Sequence, residues 1–495
     1  MSAPRKDDAE AVHVGLARPP LAGGRARIPA VAMVAVLLAA GVLVAHVASP
    51  RPPRIRLQPI ALASEASPVG SQSSSWYCPG APGPGGPTVG MHLDLVNAGA
   101  RDVRATIVVV DARGRSAVSR VVVPAHAQIG ETPGRLVSGA WVAARVNVAG
   151  GGVTASELVD AGGRQSVAPC ASERSATWYF ASGSTAQGSS LRVALFNPST
   201  DLAVVDLSFV TTSGITSPQP FQGLVIDPGA VSAVTVGRYV QHRSAVATVV
   251  SARSGTVVAG ELQLYGPGGA AGVAIRLGSP APSPVWDVPC AEDAVGGTSE
   301  LAVFNPSSQT EQVKVDVRLA SGPVAPFTQV VGPHSVWNLE TGDALRIPAG
   351  VVYAMRVRTT GPGVVVARIG AGTPGSQTSQ WADAIVVPSV ATSTSLRWVV
   401  PAVRQPPGAQ RAPLSVAVDN PGRRAVRVTL SWFSAPGVRR VRHVRVAGGS
   451  FSQLDGGPGP LVVAADAPVA VVGQSPLPGA GGAGVGLGVP AVAQA

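Results

Sequence analysis

Lysine, cysteine and aromatic residues are all scarce in this 495-residue chain. Aromatic residues make up 4% and charged residues 13%, whereas hydrophobic residues make up 45%. So low a charged fraction excludes a coiled coil and a wholly disordered chain. Lys6 and Lys314 are the only lysines, so arginine supplies nearly all of the positive charge behind a net charge of +11. Glycine and proline are abundant, at 59 and 45 residues, which indicates many turns.

The three cysteines, Cys78, Cys170 and Cys290, are widely spaced and form no CxxC pair. This spacing excludes a cysteine zinc site. In an oxidising compartment we expect one disulfide and one unpaired thiol. Cys78 and Cys170 flank the first of four sequence repeats, which favours a bridge between them; a Cys170–Cys290 bridge is the alternative.

One long hydrophobic run, residues 28–48, contains no charged residue. It is long enough to span a bilayer. A signal-peptide core is shorter and is closely followed by a small-x-small cleavage site, whereas the nearest such site here, at 61–63, lies far beyond the run. We therefore predict an uncleaved signal anchor. More basic residues precede the run than follow it, which favours a cytoplasmic N-terminus and an extracytoplasmic C-terminal part.

Beyond residue 75 the sequence repeats four times. Each copy opens with a tryptophan, which we interpret as a core residue, and about 20 residues later a strand ends in asparagine, usually followed by proline. Asparagine can cap its own backbone in a turn, and proline withholds a donor from the sheet. The opening tryptophans are Trp76, Trp178, Trp286 and Trp398, and the asparagines are Asn97, Asn197, Asn305 and Asn420.

Alternating apolar and polar residues follow each asparagine, as in VRATIVVV at 103–110. About seven short strands per repeat are typical of an immunoglobulin-like β-sandwich. The predicted fold is all-β: tandem immunoglobulin-like sandwiches behind one N-terminal transmembrane helix. The predicted segments are a cytoplasmic segment (1–27), the anchor (28–48), a Pro/Ser-rich stalk (49–75), and repeats at 76–177, 178–285, 286–396 and 397–495, the last with a Gly-rich tail.

The segments TWYFASGSTAQGSSLRVALFNPSTDLAVVDLSFV (177–210) and FQGLVIDPGAVSAVTVGRYVQHRSAVATVVSARSGTVVAGELQ (221–263) resemble the actinobacterial domain-of-unknown-function 5719 family. The resemblance covers nearly all of 75–475. It implies a secreted or single-pass anchored protein with a WYC…PC…WYF order, which supports the Cys78–Cys170 bridge and leaves Cys290 outside the pattern. The family carries no established activity. Its genes tend to lie near a large membrane glycosyltransferase, which suggests work on envelope glycans.

Motifs that would carry catalysis are missing from the sequence. There is no HExxH and no G-x-S-x-G, and the seven histidines fall at non-equivalent places in the repeats. Glu157, Glu261, Arg368 and Gln474 hold matching places in the four copies, which favours a role on a strand face over catalysis. We therefore predict no catalytic, cofactor-binding or metal-binding residue, and a protein that is not an enzyme.

The last repeat, 397–495, contains ten arginines and three acidic residues. Arginine side chains bind phosphate and carboxylate groups well, so this cluster is a candidate surface for an anionic partner; charges that protect a sheet edge from aggregation are the alternative. Strand alternation places some of these side chains on each face of the sheet. The candidate residues are Arg423, Arg424, Arg427, Arg439, Arg440, Arg442 and Arg445.

These features together predict a non-catalytic protein of the bacterial cell envelope, anchored in the cell membrane through 28–48. The expected partner is an envelope protein, such as a membrane glycosyltransferase, or an anionic wall polymer. Nucleic acid is not expected, because the basic repeat lies outside the membrane. A structural spacer or adhesin and a glycan-active enzyme are the alternatives. In its sharper form the hypothesis is an accessory to envelope polysaccharide synthesis.

Overall fold

The computed structural model describes residues 32–33, 64–83, 89–161, 164–266, 272–292, 298–341, 344–371, 387–390, 394–402, 414–435, 438–457, 459–477, 482–487 and 489–491. The chain divides into two compact units, residues 1–59 and 60–495. In the first unit, residues 32 and 33 are described and are helical. The rest of the predicted anchor at 28–48 lies outside the described residues. Within the described ranges, no helix is long and apolar enough to cross a membrane.

The second unit is all-β and contains four modules, each made of two antiparallel sheets. Module 1 contains β1 (Ser74–Ala81), β2 (Val89–Asn97), β3 (Val103–Asp111), β4 (Ser116–Val123), β5 (Ala127–Glu131), α1 (Pro133–Leu136), β6 (Val142–Val148), β7 (Val153–Ala161) and β8 (Arg164–Pro169). Module 2 contains β9 (Thr177–Phe180), β10 (Ser190–Phe196), β11 (Ala203–Thr211), β12 (Gly214–Thr216), β13 (Leu224–Ile226), β14 (Val231–Thr235), β15 (Ala247–Ser254), β16 (Val258–Tyr265) and β17 (Gly272–Leu277), with 3₁₀ turns at Gln219–Phe221 and Val236–Arg238.

Modules 3 and 4 contain nine and eight described strands, respectively. Module 3 contains β18 (Val285–Glu292), β19 (Thr298–Asn305), β20 (Glu311–Leu319), β21 (Gly322–Pro323), β22 (Phe327–Val331), β23 (Ser335–Glu340), β24 (Val352–Thr359), β25 (Val365–Ala371) and β26 (Val387–Val390). Module 4 contains β27 (Ser395–Val400), β28 (Leu414–Asn420), β29 (Val426–Ala435), β30 (Val438–Val446), β31 (Ser450–Gly457), β32 (Leu461–Leu477), β33 (Gly482–Leu487) and β34 (Val489–Pro490).

One strand order describes all four modules. In module 1 the sheets run β1-β6-β3-β4 and β5-β2-β7-β8, and modules 2 and 3 repeat this order with the fourth strand split in two. In module 4 the long strand β32 serves both sheets, because it pairs with β27 and β29 near its start and with β28 near its end. The two sheets of each module enclose one apolar core, as the alternation of the strands predicts.

The strand order differs from the immunoglobulin order that the sequence suggests. In immunoglobulin domains the first strand pairs with the second, and the seventh pairs with the sixth. Here the first strand, β1, pairs with the sixth, β6, and the seventh, β7, pairs with the second, β2. The immunoglobulin-like arrangement is therefore not confirmed. Alternation shows that a strand has one buried face, but it carries no information on which strand lies beside it.

The repeated tryptophans and asparagines hold equivalent places in the modules. Trp76, Trp178 and Trp398 are at most 1% exposed and Trp286 is half-buried, so the interpretation as core residues is confirmed. Each asparagine closes the turn after the second strand. Asn97, for example, donates its side-chain amide to the carbonyls of Arg101 and Val123, and its Oδ1 accepts the N–H of Gly99.

A shared turn between the fourth and fifth strands corrects one prediction about the histidines. His126 and His334 both have positive φ, at 56° and 46°, and the equivalent residues in modules 2 and 4 are Gly229 and Gly449, at 68° and 67°. The two histidines therefore occupy equivalent positions, contrary to the expectation from the sequence. Glycine adopts this left-handed backbone without strain, which is why two modules have it there.

Cys78 of β1 and Cys170, which follows β8, are joined in a disulfide, the pairing that the sequence favours. Both side chains are fully buried in the core of module 1. Next to this bridge the N–H and carbonyl of Tyr77 pair with those of Ala171 at 2.8 Å. The bridge thus fixes the chain leaving module 1 against the first strand of the same module.

The four modules contact one another in a closed ring. The outer face of the first sheet of each module packs on the outer face of the second sheet of the next. Ala181 and Val210 of module 2, for instance, pack with Ala302 and Phe304 of module 3. The eighth strands β8, β17, β26 and β33 contact their neighbours around the ring.

Module 4 closes the ring against module 1. Gln128 of module 1 exchanges two hydrogen bonds with the backbone of Ala402, at 2.8 and 2.9 Å. His126 stacks on Phe433 with ring centroids 4.5 Å apart. Ala66 near the start of the second unit pairs with Ala491 near its end. Both ends of this unit therefore meet at the same junction.

Candidate anionic-partner surface

The candidate arginines lie on the hairpin formed by β29 and β30 and on the turn before it. β30 ends the sheet order β30-β29-β32-β27-β34, so it is an edge strand. It pairs with β29 from Val426↔Val446 to Ala435↔Val438. Residues 438–443 and 445 are exposed, and Val446 is buried in the core of module 4. The core therefore anchors one end of the strand, and the arginines extend from it along the edge.

The arginines of β30 are divided between the two faces of the sheet. Arg440 and Arg442 pair with Trp432 and Leu430, which pack in the core of module 4. Arg439 pairs with Phe433, which packs on module 1. The two faces thus carry separate groups of arginines, as strand alternation predicts. Arg427 pairs with Arg445 directly across the hairpin, on the same face as Arg439.

None of the seven arginines has a carboxylate within ion-pair distance among the described residues, and all seven are exposed. The N–H of Arg427 donates to Asp466 at 2.9 Å, but this contact uses the backbone and leaves the guanidinium unpaired. Arg439 donates to Ser431 Oγ at 2.9 Å. Clustered guanidinium groups without counter-charges repel one another, and an anionic partner would relieve that repulsion.

Two further basic residues, which sequence reasoning did not connect with this cluster, lie near Arg439. Burial and the charge of Arg439 lower the pKa of His126, and the same two causes lower the pKa of Arg397. His126 belongs to module 1 and Arg397 to β27 of module 4. Arg397 lies in the same sheet as the hairpin, whereas only ring closure brings His126 beside it. Both depend on long-range contacts, so no local sequence signal could have identified them.

The four matching polar positions prove to be buried ionisable side chains inside the modules, with one exception. Burial raises the pKa of Glu157 to about 8, and the N–H of Gly80 donates to it at 2.9 Å. Burial raises the pKa of Glu261 to about 7, although Arg276 forms an ion pair with it. Arg368 donates to Ser299 Oγ at 3.0 Å.

The fourth matching position is not Gln474. In the strand register, Glu157 pairs with Leu93, four residues before the asparagine that ends the second strand of module 1. The residue four before Asn420 is Val416, and it pairs with Gly473. The equivalent residue in module 4 is therefore Gly473, one position before Gln474. The prediction of a polar residue in every copy is wrong for module 4.

A second group of charges lies between modules 3 and 4. Asp287 of β18 contacts Arg356 at 3.3 Å, and Arg318 of β20 forms an ion pair with Asp419 of β28. Burial raises the pKa of Asp287 to about 6 and that of Asp419 to about 7. The four side chains lie at the contact of two modules and are largely buried, so their arrangement suits an interface. Among the described residues, no group of three His, Cys, Asp or Glu side chains could hold a metal ion.

A family of unknown function, DUF5719, matches residues 149–455. The chain belongs to this family. The DUF5719 match begins near the end of module 1 and extends into module 4. It includes Cys170 and all seven candidate arginines but not Cys78. The resemblance expected from the sequence is confirmed, and the name of the family assigns no activity.

No curated protein matches the chain. Among solved structures, a crystal structure titled Thermotoga maritima 1070 is 16% identical, with 22% of this chain and 94% of that chain covered and a TM-score of 0.19. A tetra-tandem repeat from the extending region of a large adhesion protein is 13% identical, with 80% and 95% covered and a TM-score of 0.12. Scores this low do not establish a shared fold.

Proposed function

We propose that this DUF5719 protein is a non-catalytic binding or scaffold protein of the bacterial cell envelope. In this proposal residues 28–48 anchor it in the cell membrane, and the ring of modules lies on the extracytoplasmic side. The arginine hairpin docks an anionic partner there. The single observation that carries the proposal is this hairpin: seven exposed arginines on β29, β30 and the turn before β29, without a carboxylate partner among the described residues.

The closed ring supports a scaffold role. Each module is held by two neighbours, so the hairpin is carried on a body whose parts cannot reorient freely. A pre-positioned set of arginines loses less conformational freedom when it binds than a set on a flexible tail. The finer form of the proposal is an accessory to envelope polysaccharide synthesis, with a membrane glycosyltransferase or an anionic wall polymer as the partner.

The test of the charge surface uses full-length protein in detergent and polyphosphate as an anionic probe. We expect the triple variant Arg439→Gln/Arg440→Gln/Arg442→Gln to bind at least about tenfold more weakly at low salt, and its affinity to depend less on salt concentration. The matched control removes the same charge from exposed arginines of module 1: Arg101→Gln/Arg104→Gln/Arg113→Gln. If both variants bind polyphosphate equally weakly, the hairpin contributes only through the net charge of the protein and is not a specific binding surface.

The identity of the partner is tested in the cell. In-cell cross-linking with a photoreactive residue at Val441, which is 45% exposed between the arginines of β30, should capture the partner. Reproducible capture of a membrane glycosyltransferase supports the accessory role. Capture of wall polymer supports direct polymer binding. Unchanged capture in the triple variant would contradict docking through the hairpin.

A further inference from the structure

The fourth strand of every module lies at the end of its sheet, and three of the four copies are protected against pairing with another strand. In module 2 this strand is split into β12 and β13, with three residues each. In module 3 it is split into β21 and β22, with two and five residues. In module 4 the continuous strand β30 carries arginines along its length. Short strands and charged side chains are the usual devices that keep open edges from pairing.

The equivalent strand of module 1, β4, has neither device. It is eight residues long and pairs with β3 at every position from Val103↔Val123 to Val110↔Ser116, with no bulge. Arg120 is its only charged residue. Val118 and Val122, two residues to either side of Arg120, are 50% and 51% exposed. β4 is therefore a regular, open edge with an exposed apolar pair on one face.

The other described edges are shorter, irregular or already paired. On the second sheets β5, β14 and β23 have five or six residues. The eight-residue strand β31 ends at Gly457 with a register shift. On the first sheets β1 pairs with Ala171, β9 pairs with Ser279, β27 pairs with β34, and β18 has a register shift between Val288 and Ala291. These contacts leave β4 as the described edge best suited to accept a strand.

We propose that β4 binds an extended, acidic segment of a partner protein, which adds to the first sheet of module 1 as a further strand. Backbone hydrogen bonds supply affinity in this mode of recognition, and alternate side chains supply specificity. The surface is separate from the arginine hairpin of module 4, so the inference does not depend on the proposed function.

The positive charge on the exposed face of β4 indicates that the partner segment is negatively charged. Arg120 lies between the two exposed valines, and Arg104 of β3 pairs with Val122 on the same face. Both arginines are exposed and have no ion pair among the described residues. A segment with an acidic residue flanked at two residues on each side by apolar residues would match Arg120 and the valines. A second copy of this chain fits less well, because pairing β4 with β4 centred on Arg120 would place like charges opposite each other.

The experiment measures backbone amide hydrogen exchange of β4 in the full-length protein. The probe is the synthetic peptide Thr-Val-Thr-Glu-Thr-Val-Thr at millimolar concentration, and the control peptide has Lys in place of Glu. We expect the acidic peptide to slow exchange in residues 116–123 by at least about fivefold, because the open edge becomes hydrogen-bonded. The control peptide should have little effect.

Protein variants complete the test. Val118→Ser/Val122→Ser removes the apolar pair that would contact the two valines of the peptide, without changing the charge of β4, and it should abolish the peptide effect. Ile215→Ser/Val225→Ser makes the same change at exposed residues of the split strand in module 2, at 52% and 61% exposure, and should leave the effect intact. The proposal is overturned if the acidic peptide gives no protection, or if both peptides protect equally. It is also overturned if the β4 variant is still protected, or if protection rises with protein concentration alone, which would identify a second copy as the occupant.

Polyphosphate binding separates this inference from the proposed function. The β4 variant should bind polyphosphate as the unchanged protein does, whereas the hairpin variant should retain the peptide effect. Loss of one activity without the other therefore identifies which proposal has failed.

Discussion

Trp178 donates its indole N–H to the backbone carbonyl of Val257 at 2.9 Å. Trp178 lies on the first strand of module 2, whereas Val257 lies just before the seventh, in the opposite sheet. The bond thus joins the two sheets across the core. The opening tryptophan of every other module donates to the equivalent carbonyl, those of Val153, Val364 and Val469, at 2.7–3.1 Å. This recurrence explains why the repeats begin with tryptophan.

Replacing Trp178 with alanine should destabilise module 2 by roughly 3–5 kcal/mol, because it leaves a large cavity in the core. Trp178→Phe should have a smaller effect, since it preserves most of the apolar contact and removes the hydrogen bond. Urea unfolding followed by circular dichroism measures both. Leu202→Ala, at a residue of the same module that is 51% exposed, is the control and should be nearly neutral. A near-neutral Trp178→Ala would contradict the core role.

Glu157 should make the stability of module 1 depend on pH. Burial raises its pKa from 4.5 to about 8, so between these values the folded module keeps a proton that the unfolded chain releases. The free energy of unfolding should therefore fall as pH rises through this window, by about 1.4 kcal/mol per pH unit. Below about pH 4.5 both states are protonated and this contribution is fully present.

Glu157→Gln should remove that dependence, because glutamine is neutral at every pH in the window and keeps an oxygen for the N–H of Gly80. The difference between the urea midpoints at pH 5 and pH 7.5 should be smaller in the variant than in the unchanged protein; it should not vanish, because Glu261, Asp287 and Asp419 also have raised pKa values in this window. Glu173→Gln, at an exposed residue, is the control. A variant with the same pH dependence as the unchanged protein would show that Glu157 is not the responsible group.

Gln128→Ala should loosen the junction between modules 1 and 4. The substitution removes both hydrogen bonds to Ala402 and leaves that residue's N–H and carbonyl without these partners. We expect faster hydrogen exchange in residues 395–402 and no change between modules 2 and 3. Gln309→Ala replaces an exposed glutamine of module 3 and should affect neither region. Equal exchange at all junctions would mean that the ring does not depend on this contact.

Reduction of the Cys78–Cys170 bridge should destabilise module 1 by about 2–5 kcal/mol, because the bridge closes a long loop of the unfolded chain. Peptide mapping without reductant should recover the two cysteines in one linked pair, and the paired variant Cys78→Ala/Cys170→Ala should reproduce the effect of reductant. Recovery of Cys290 in a link with either residue would refute this connectivity.

The sequence by itself determined the all-β class, the four repeats and the buried tryptophans, because period-two alternation and recurring turn residues are local properties of a strand. It also indicated the Asn-based turns, since Asn97 and its three counterparts each donate to the carbonyl four residues later, although each also donates to a carbonyl 26–29 residues away. A local pattern does not fix the exact strand register, so the predicted match at Gln474 lies one residue from the true equivalent, Gly473. A shift of one residue changes which side chain faces the core.

Only the tertiary structure decided which strands are neighbours and how the modules meet. The pairing of β7 with β2, the contact of His126 with Phe433 and the ion pair of Arg318 with Asp419 join residues far apart in sequence. The sequence also did not show that β4 is an open edge, because its residues alternate like those of any strand. β4 is open because, among the described strands, only β3 pairs with it. Neighbours across a sheet or a module junction are chosen by packing of the whole unit, which no local pattern encodes.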